Sequence, residues 1–137
     1  MVERLVANEK VEGSNPFARS IKNMEKLHEK KCIACDGSTL PFDTSEIHKY
    51  LKNIDGWDVK SNNEKCYYLE KKFKFKNFIE SQKFVIKIGT IAEEEGHHPD
   101  IVFGWGYAKI NITTHAIEGL SENDFILAAK IDQILNV

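Results

Sequence analysis

No apolar run in this chain approaches the roughly 20 residues a membrane-spanning helix needs. The longest, FVIKI and FILAA, are far too short, and no basic start followed by an apolar centre marks a signal peptide. A cytoplasmic protein with no membrane partner is expected. Charge of one sign is also missing. Nineteen Lys and Arg against 21 Asp and Glu give a formal net charge of -2, so nothing electrostatic recruits a nucleic acid or an anionic lipid surface. Cysteine is scarce and odd in number: Cys32, Cys35 and Cys66, without secretory context, do not make a disulfide framework and are expected to be reduced. There is no internal repeat and no low-complexity segment. A length of 137 residues suits one domain with one core.

What is present divides the chain in three. Residues 1–23 show no sustained period and few large apolar side chains, whereas Met24 opens the charged stretch MEKLHEKK. The segment GSNPFARS, Gly13 to Ser20, back-translates to DNA containing GTTCGAATCC, the pattern of a transfer-RNA TΨC arm. Residues 1–23 are therefore expected to be a non-native or disordered tail, from a start codon placed too far upstream or from native disorder. Residues 24–42 form an extension carrying Cys32-x-x-Cys35, and the folded part is expected to begin after CIACDGSTLPF, over 43–137. The Cys32/Cys35 spacing suits a metal or a redox pair, yet a second ligand pair is missing, so a non-catalytic thiol pair is the expectation.

Within 43–137, Asp43 with Glu46 has capping-box spacing and predicts a short helix to about Asn53 through Ile47, Tyr50 and Leu51. WDVKSNNEKCYYLEKKFKFK predicts two strands around a polar turn at Ser61–Lys65. Asn77 caps the next segment, whose Phe78, Val85, Ile88 and Ala92 share an apolar face until Gly96 stops it. IVFGWGY and AKINITTH predict a second hairpin, with Ala108, Ile110, Ile112 and Thr114 on one face. Ser121 is expected to cap a last helix with the stripe Leu127, Ala128, Ile131, Ile134 and Leu135. The class is α+β: a four-stranded antiparallel sheet covered on one face by helices, in the order α-β-β-α-β-β-α.

The chemistry concentrates in EEEGHHPDI, residues 93 to 101. Gly96 and Pro99 put His97 and His98 on a short constrained loop; His115 ends the strand INITTH, and Asp124 falls in the first turn of the last helix. Each has an ordinary explanation. Asp124 suits the helix dipole, the histidine pair could be solvated loop, and Glu93 to Glu95 could be a wet helix face. Three histidines and a water would satisfy catalytic zinc, but the i, i+4 pair of familiar zinc motifs is missing, and no metal is expected.

The ordered run Glu93-x-x-x-His97-His98-Pro99, five residues to Trp105, nine to His115 and eight to Asp124, resembles the pterin-4a-carbinolamine dehydratases, also called dimerization cofactors of a homeodomain transcription factor. The similarity runs from about residue 40 to the C-terminus, through KFKFKNF, HHPDI and TTHAIEGLSENDFILAAKID. Trp105 stands where tyrosine is common in the family. The resemblance implies a lyase that dehydrates 4a-hydroxytetrahydrobiopterin to quinonoid dihydropterin in tetrahydrobiopterin recycling, with no cofactor and no metal. It implies His97, His98 and His115 as acid–base groups, Glu93 and Asp124 as carboxylates orienting imidazoles, and Pro99, Thr114 and His115 against the pterin. It also implies a homodimer or homotetramer. The alternative it carries is a binding or assembly module without catalysis, using the apolar stripe of the last helix as contact surface.

Overall fold

The computed structural model describes residues 27–33, 37, 39–62 and 66–135; the tail over 1–23, Cys35 and most of the first hairpin turn lie outside the described residues. After a 3-10 turn at Leu27–Glu29 come helix α1 (Thr44–Leu51), strands β1 (Asp58–Ser61) and β2 (Tyr67–Lys74), and helix α2 (Phe78–Glu95). Strands β3 (Asp100–Gly104) and β4 (Tyr107–Ile112), a 3-10 turn at His115–Ile117 and helix α3 (Glu122–Leu135) complete the order. The expected α-β-β-α-β-β-α order and the antiparallel sheet are both present.

Two hairpins meet through their later strands, giving the sheet order β1-β2-β4-β3. The β2–β4 register pairs Leu69 with Ile112 and Phe73 with Ala108. Period-two alternation sends Leu69, Phe73, Ala108, Ile110 and Ile112 to one face, where they are buried with Phe84 and Ile88 of α2 and Phe125, Leu127, Ala128 and Ile131 of α3. The opposite face carries polar groups: Glu70 bonds Lys60 across the strands, and Lys72 lies over the Tyr107 ring. None of the described helices is long and apolar enough to cross a membrane.

Several local expectations shift. The first helix stops at Leu51 rather than Asn53, and of its capping box the Asp43 half is seen, with Asp43 Oδ1 accepting from Glu46 N–H. On α2 the core-facing side chain near the start is Phe84; Phe78 is partly exposed and packs on Phe103. The helix approaches the sheet through Ser81, whose hydroxyl donates to the carbonyl of Gly104 across the layer. On α3 the stripe is no contact surface: Leu127, Ala128 and Ile131 are fully buried, and only Leu135 at its end is largely exposed. Ser121 does not cap through its side chain. Instead the Asp124 carboxylate reaches back to the Ser121 N–H at 2.8 Å.

The folded unit also begins earlier than expected. Leu27 sits in the core, and the segment after it is held to α2 and α3 by side chains that the sequence alone does not pair.

Candidate active site

Gly96 ends α2 in the left-handed conformation, φ 66°. Its N–H donates to Glu93 and the His97 N–H to Ala92, so the carbonyls of the last turn are satisfied and the chain turns sharply into the histidine pair. From there the two imidazoles diverge. His97 turns inward, its side chain only 12% exposed, and its Nε2 lies 2.7 Å from Asp124 Oδ1. His98 turns outward at 60% exposure, with Nε2 2.7 Å from Glu93 Oε1, one helical turn back.

Asp124 is fully buried, and its burial is matched by donors. Besides His97, it accepts from the Thr114 hydroxyl at 2.7 Å and the Ser121 N–H at 2.8 Å. Because the single Thr114 proton goes to Asp124, the Ser121 hydroxyl must donate to Thr114 Oγ1, 2.9 Å away. An ionised carboxylate only accepts, so Nε2 carries the hydrogen in both His–carboxylate pairs. Nδ1 is then the nitrogen of each ring able to exchange a proton.

His115 is not a strand end. β4 closes at Ile112; Thr114 bridges to Gly119, and His115 opens the 3-10 turn, largely exposed. That bridge commits the backbone of Thr114: its N–H donates to Gly119, and its carbonyl accepts from Ile117 and Gly119.

A cavity of about 500 Å³, within the usual range for small-ligand sites, joins these elements. His97, His98 and His115 all line it, with Gly96, Thr113, Thr114 and Ala116. Pro99 and Trp105 do not. Trp105 is exposed in the β3–β4 turn, and five residues of β3 at about 3.3 Å each put it roughly 16 Å from the histidine loop. Among the lining residues that went unread in the sequence as site groups are Ile33, Glu95 and Asn123, and Cys32 was read only as half of a thiol pair. Glu95 is no wet helix face, since its side chain is 5% exposed and takes the Cys32 N–H at 2.8 Å, with Lys130 at 3.5 Å and Lys31 at 4.0 Å. Burial pushes its carboxyl up, but the Cys32 hydrogen bond and the two lysines outweigh that and hold it below the usual range. The Cys32 thiol is pushed up to about 12, by burial first and then by the charge of Glu95, so it is no nucleophile at neutral pH.

The family model described as Pterin 4 alpha carbinolamine dehydratase matches residues 40–134. The chain belongs to that family. A Rubrobacter xylanophilus protein, named provisionally as a pterin-4-alpha-carbinolamine dehydratase, is 42% identical over 111 residues, covering 81% of this chain and 100% of the relative. An Alkaliphilus metalliredigens protein of the same provisional name is 46% identical over 111 residues, covering 80% and 96%. The crystal structure of a transcriptional coactivator/pterin dehydratase from Brucella melitensis superposes with a TM-score of 0.63 at 28% identity, covering 69% of this chain and 97% of that one. The three histidines of the cavity therefore fall within the segment that the family model matches, and the strap over residues 27–33, with the lining residues Cys32 and Ile33, lies before residue 40.

Proposed function

We propose that this chain is a hydro-lyase that dehydrates 4a-hydroxytetrahydrobiopterin to quinonoid dihydropterin and water. The observation that carries this is the convergence of three imidazoles on one cavity, one of them held by a buried carboxylate with two further donors.

The substrate is a carbinolamine, with a hydroxyl on C4a beside the N5 nitrogen. The N5 lone pair forms the N5=C4a double bond while the C4a–O bond breaks. One proton goes to the departing oxygen and one leaves N5, so the products are dihydropterin and one water. Histidine, with an unperturbed pKa near 6.5, can serve at either end, and positioned proton transfer typically contributes about 10²–10⁴-fold. His98 is the main acid or binding group in this reading. His97 and His115 act as acid and base that exchange roles between substrate stereoisomers. Asp124 fixes the tautomer and direction of His97, and Glu93 does the same for His98. Nothing in the reaction moves electrons to an outside acceptor, which is why no cofactor is invoked.

Cytoplasmic location and self-association complete the proposal. The exposed Ile79 and Ile86 on the outer side of α2 support a homodimer or homotetramer, while the weak net charge gives a nucleic acid no handle. The buried stripe of α3 disfavours the pure binding module, since the surface that reading needs is inside the core.

The test is a rapid assay on chemically generated 4a-hydroxytetrahydropterin. The wild-type chain should accelerate water loss; His98→Ala should lower kcat/KM by about 10²-fold or more, and His97→Ala and His115→Ala by less. Wild-type rates in all three variants would remove the catalytic reading.

A further inference from the structure

The cavity has a wall that lies before residues 40–134, the segment that the family model matches. Residues 27–33 cross the start of α3 and the end of α2, and polar contacts fix their path. Lys30 pairs with Glu122 at 2.8 Å, and the Cys32 N–H donates to Glu95. At Ile33 the backbone is held from both sides by one side chain: its N–H donates to Asn123 Oδ1 at 2.9 Å, and Asn123 Nδ2 donates to its carbonyl. That reciprocal pair is what a neighbouring strand would supply, so it sets the register of the strap as well as its position. The residue held so firmly lines the histidine cavity and leaves 74% of its surface exposed. Folding alone gains almost nothing from such an isoleucine. A ligand that enters the cavity would bury it.

We propose that Ile33 is an apolar wall of the substrate site, packing on the face of the pterin ring while the imidazoles act at its edge, with Asn123 as the residue that positions it. This rests on the dehydratase reading above. The start of α3 then has paired tasks: Asn123 holds the wall and Asp124, its neighbour, holds His97. A flat heteroaromatic ligand suits that division, because its face is apolar and its hydrogen-bonding groups lie around its rim.

The test uses the full chain, with 4a-hydroxytetrahydropterin turnover for kinetics and fluorescence titration with a 7,8-dihydropterin, which has no 4a-hydroxyl to lose, for binding. Ile33→Asp should raise KM and the probe Kd by about tenfold or more and change kcat by no more than about twofold. Ile33→Leu should restore both, and Asn123→Ala should raise KM in the same direction. Melting temperatures of the Ile33 variants should match wild type, since the side chain is exposed. An Ile33→Asp enzyme with wild-type KM and probe Kd would overturn the wall, and so would one that loses kcat alone. A wild-type chain that neither binds the probe nor speeds dehydration would instead remove the functional reading, and this proposal with it.

Discussion

Asp124 has the most to lose from a change of side chain. It is buried without exposure and accepts from His97, the Thr114 hydroxyl and the Ser121 N–H. Asp124→Ala leaves those donors facing an apolar gap, and breaking a buried charged pair by removing one partner costs about 3–5 kcal/mol. Its melting temperature should fall by about 10 °C or more by calorimetry. Asp124→Asn keeps the shape, so it should lose less stability; but its amide offers a donor where His97 needs an acceptor, and kcat/KM should drop by about as much as His97→Ala costs. An Ala variant that melts with the wild type would show the network to be energetically idle. Little of this was legible at the residue. An acid in the first turn of a helix is already explained by the dipole, and burial depends on Thr114 and Ser121 arriving from the far side of a turn. Glu95 was misread for the same reason: the lysines and the Cys32 N–H that enclose it come from other segments.

Helix ends and strand alternation were legible because their causes are local. Asn77 accepts from Glu80 N–H at the start of α2, Gly96 takes a positive φ at its end, and β4 alternates buried and half-buried residues as its pattern requires. Where elements meet, the same reading failed. Phe78 and Phe84 both lie near the start of α2, and only the approach of the helix to β2 puts Phe84 inside, against Phe73. His115 left the strand because the Thr114–Gly119 bridge folds the chain into a turn, a pairing that periodicity cannot see. Gly96 gives this scale its test. A Cβ there would meet nothing within 4 Å, so Gly96→Ala isolates backbone strain from crowding. A left-handed alanine costs about 1–2 kcal/mol, and the melting temperature should drop by roughly 4–8 °C. Gly96→Asn should fall less, since asparagine tolerates that conformation. Equal losses for Ala and Asn would mean that something other than the positive φ sets the cost.

Over the whole molecule, Glu95 is one of the side chains, with Glu122 and Asn123, that join residues 27–33 to the rest of the fold. Glu95 takes the Cys32 N–H and faces Lys130 and Lys31, and these outweigh the burial that would raise its pKa, so the folded value lies below the ordinary one. A depressed folded pKa means that the unfolded chain binds the proton more readily. The contribution of Glu95 to stability is therefore complete above the unfolded pKa of about 4.3 and is lost as pH falls through the folded value. Urea unfolding from pH 7 down to pH 3 should show this as a difference between wild type and Glu95→Gln. The gap should be present at neutral pH and close in the acid limb, while both proteins share the losses from their other carboxylates. Because Glu95 lines the cavity beside Ile33, the same variant should loosen the strap and raise KM at pH 7 while kcat stays near wild type. A stability gap that persists unchanged to pH 3 would show that shape, rather than charge, is what Glu95 supplies. A gap of the expected form with an unaltered KM would separate the anchoring of the strap from the binding of substrate.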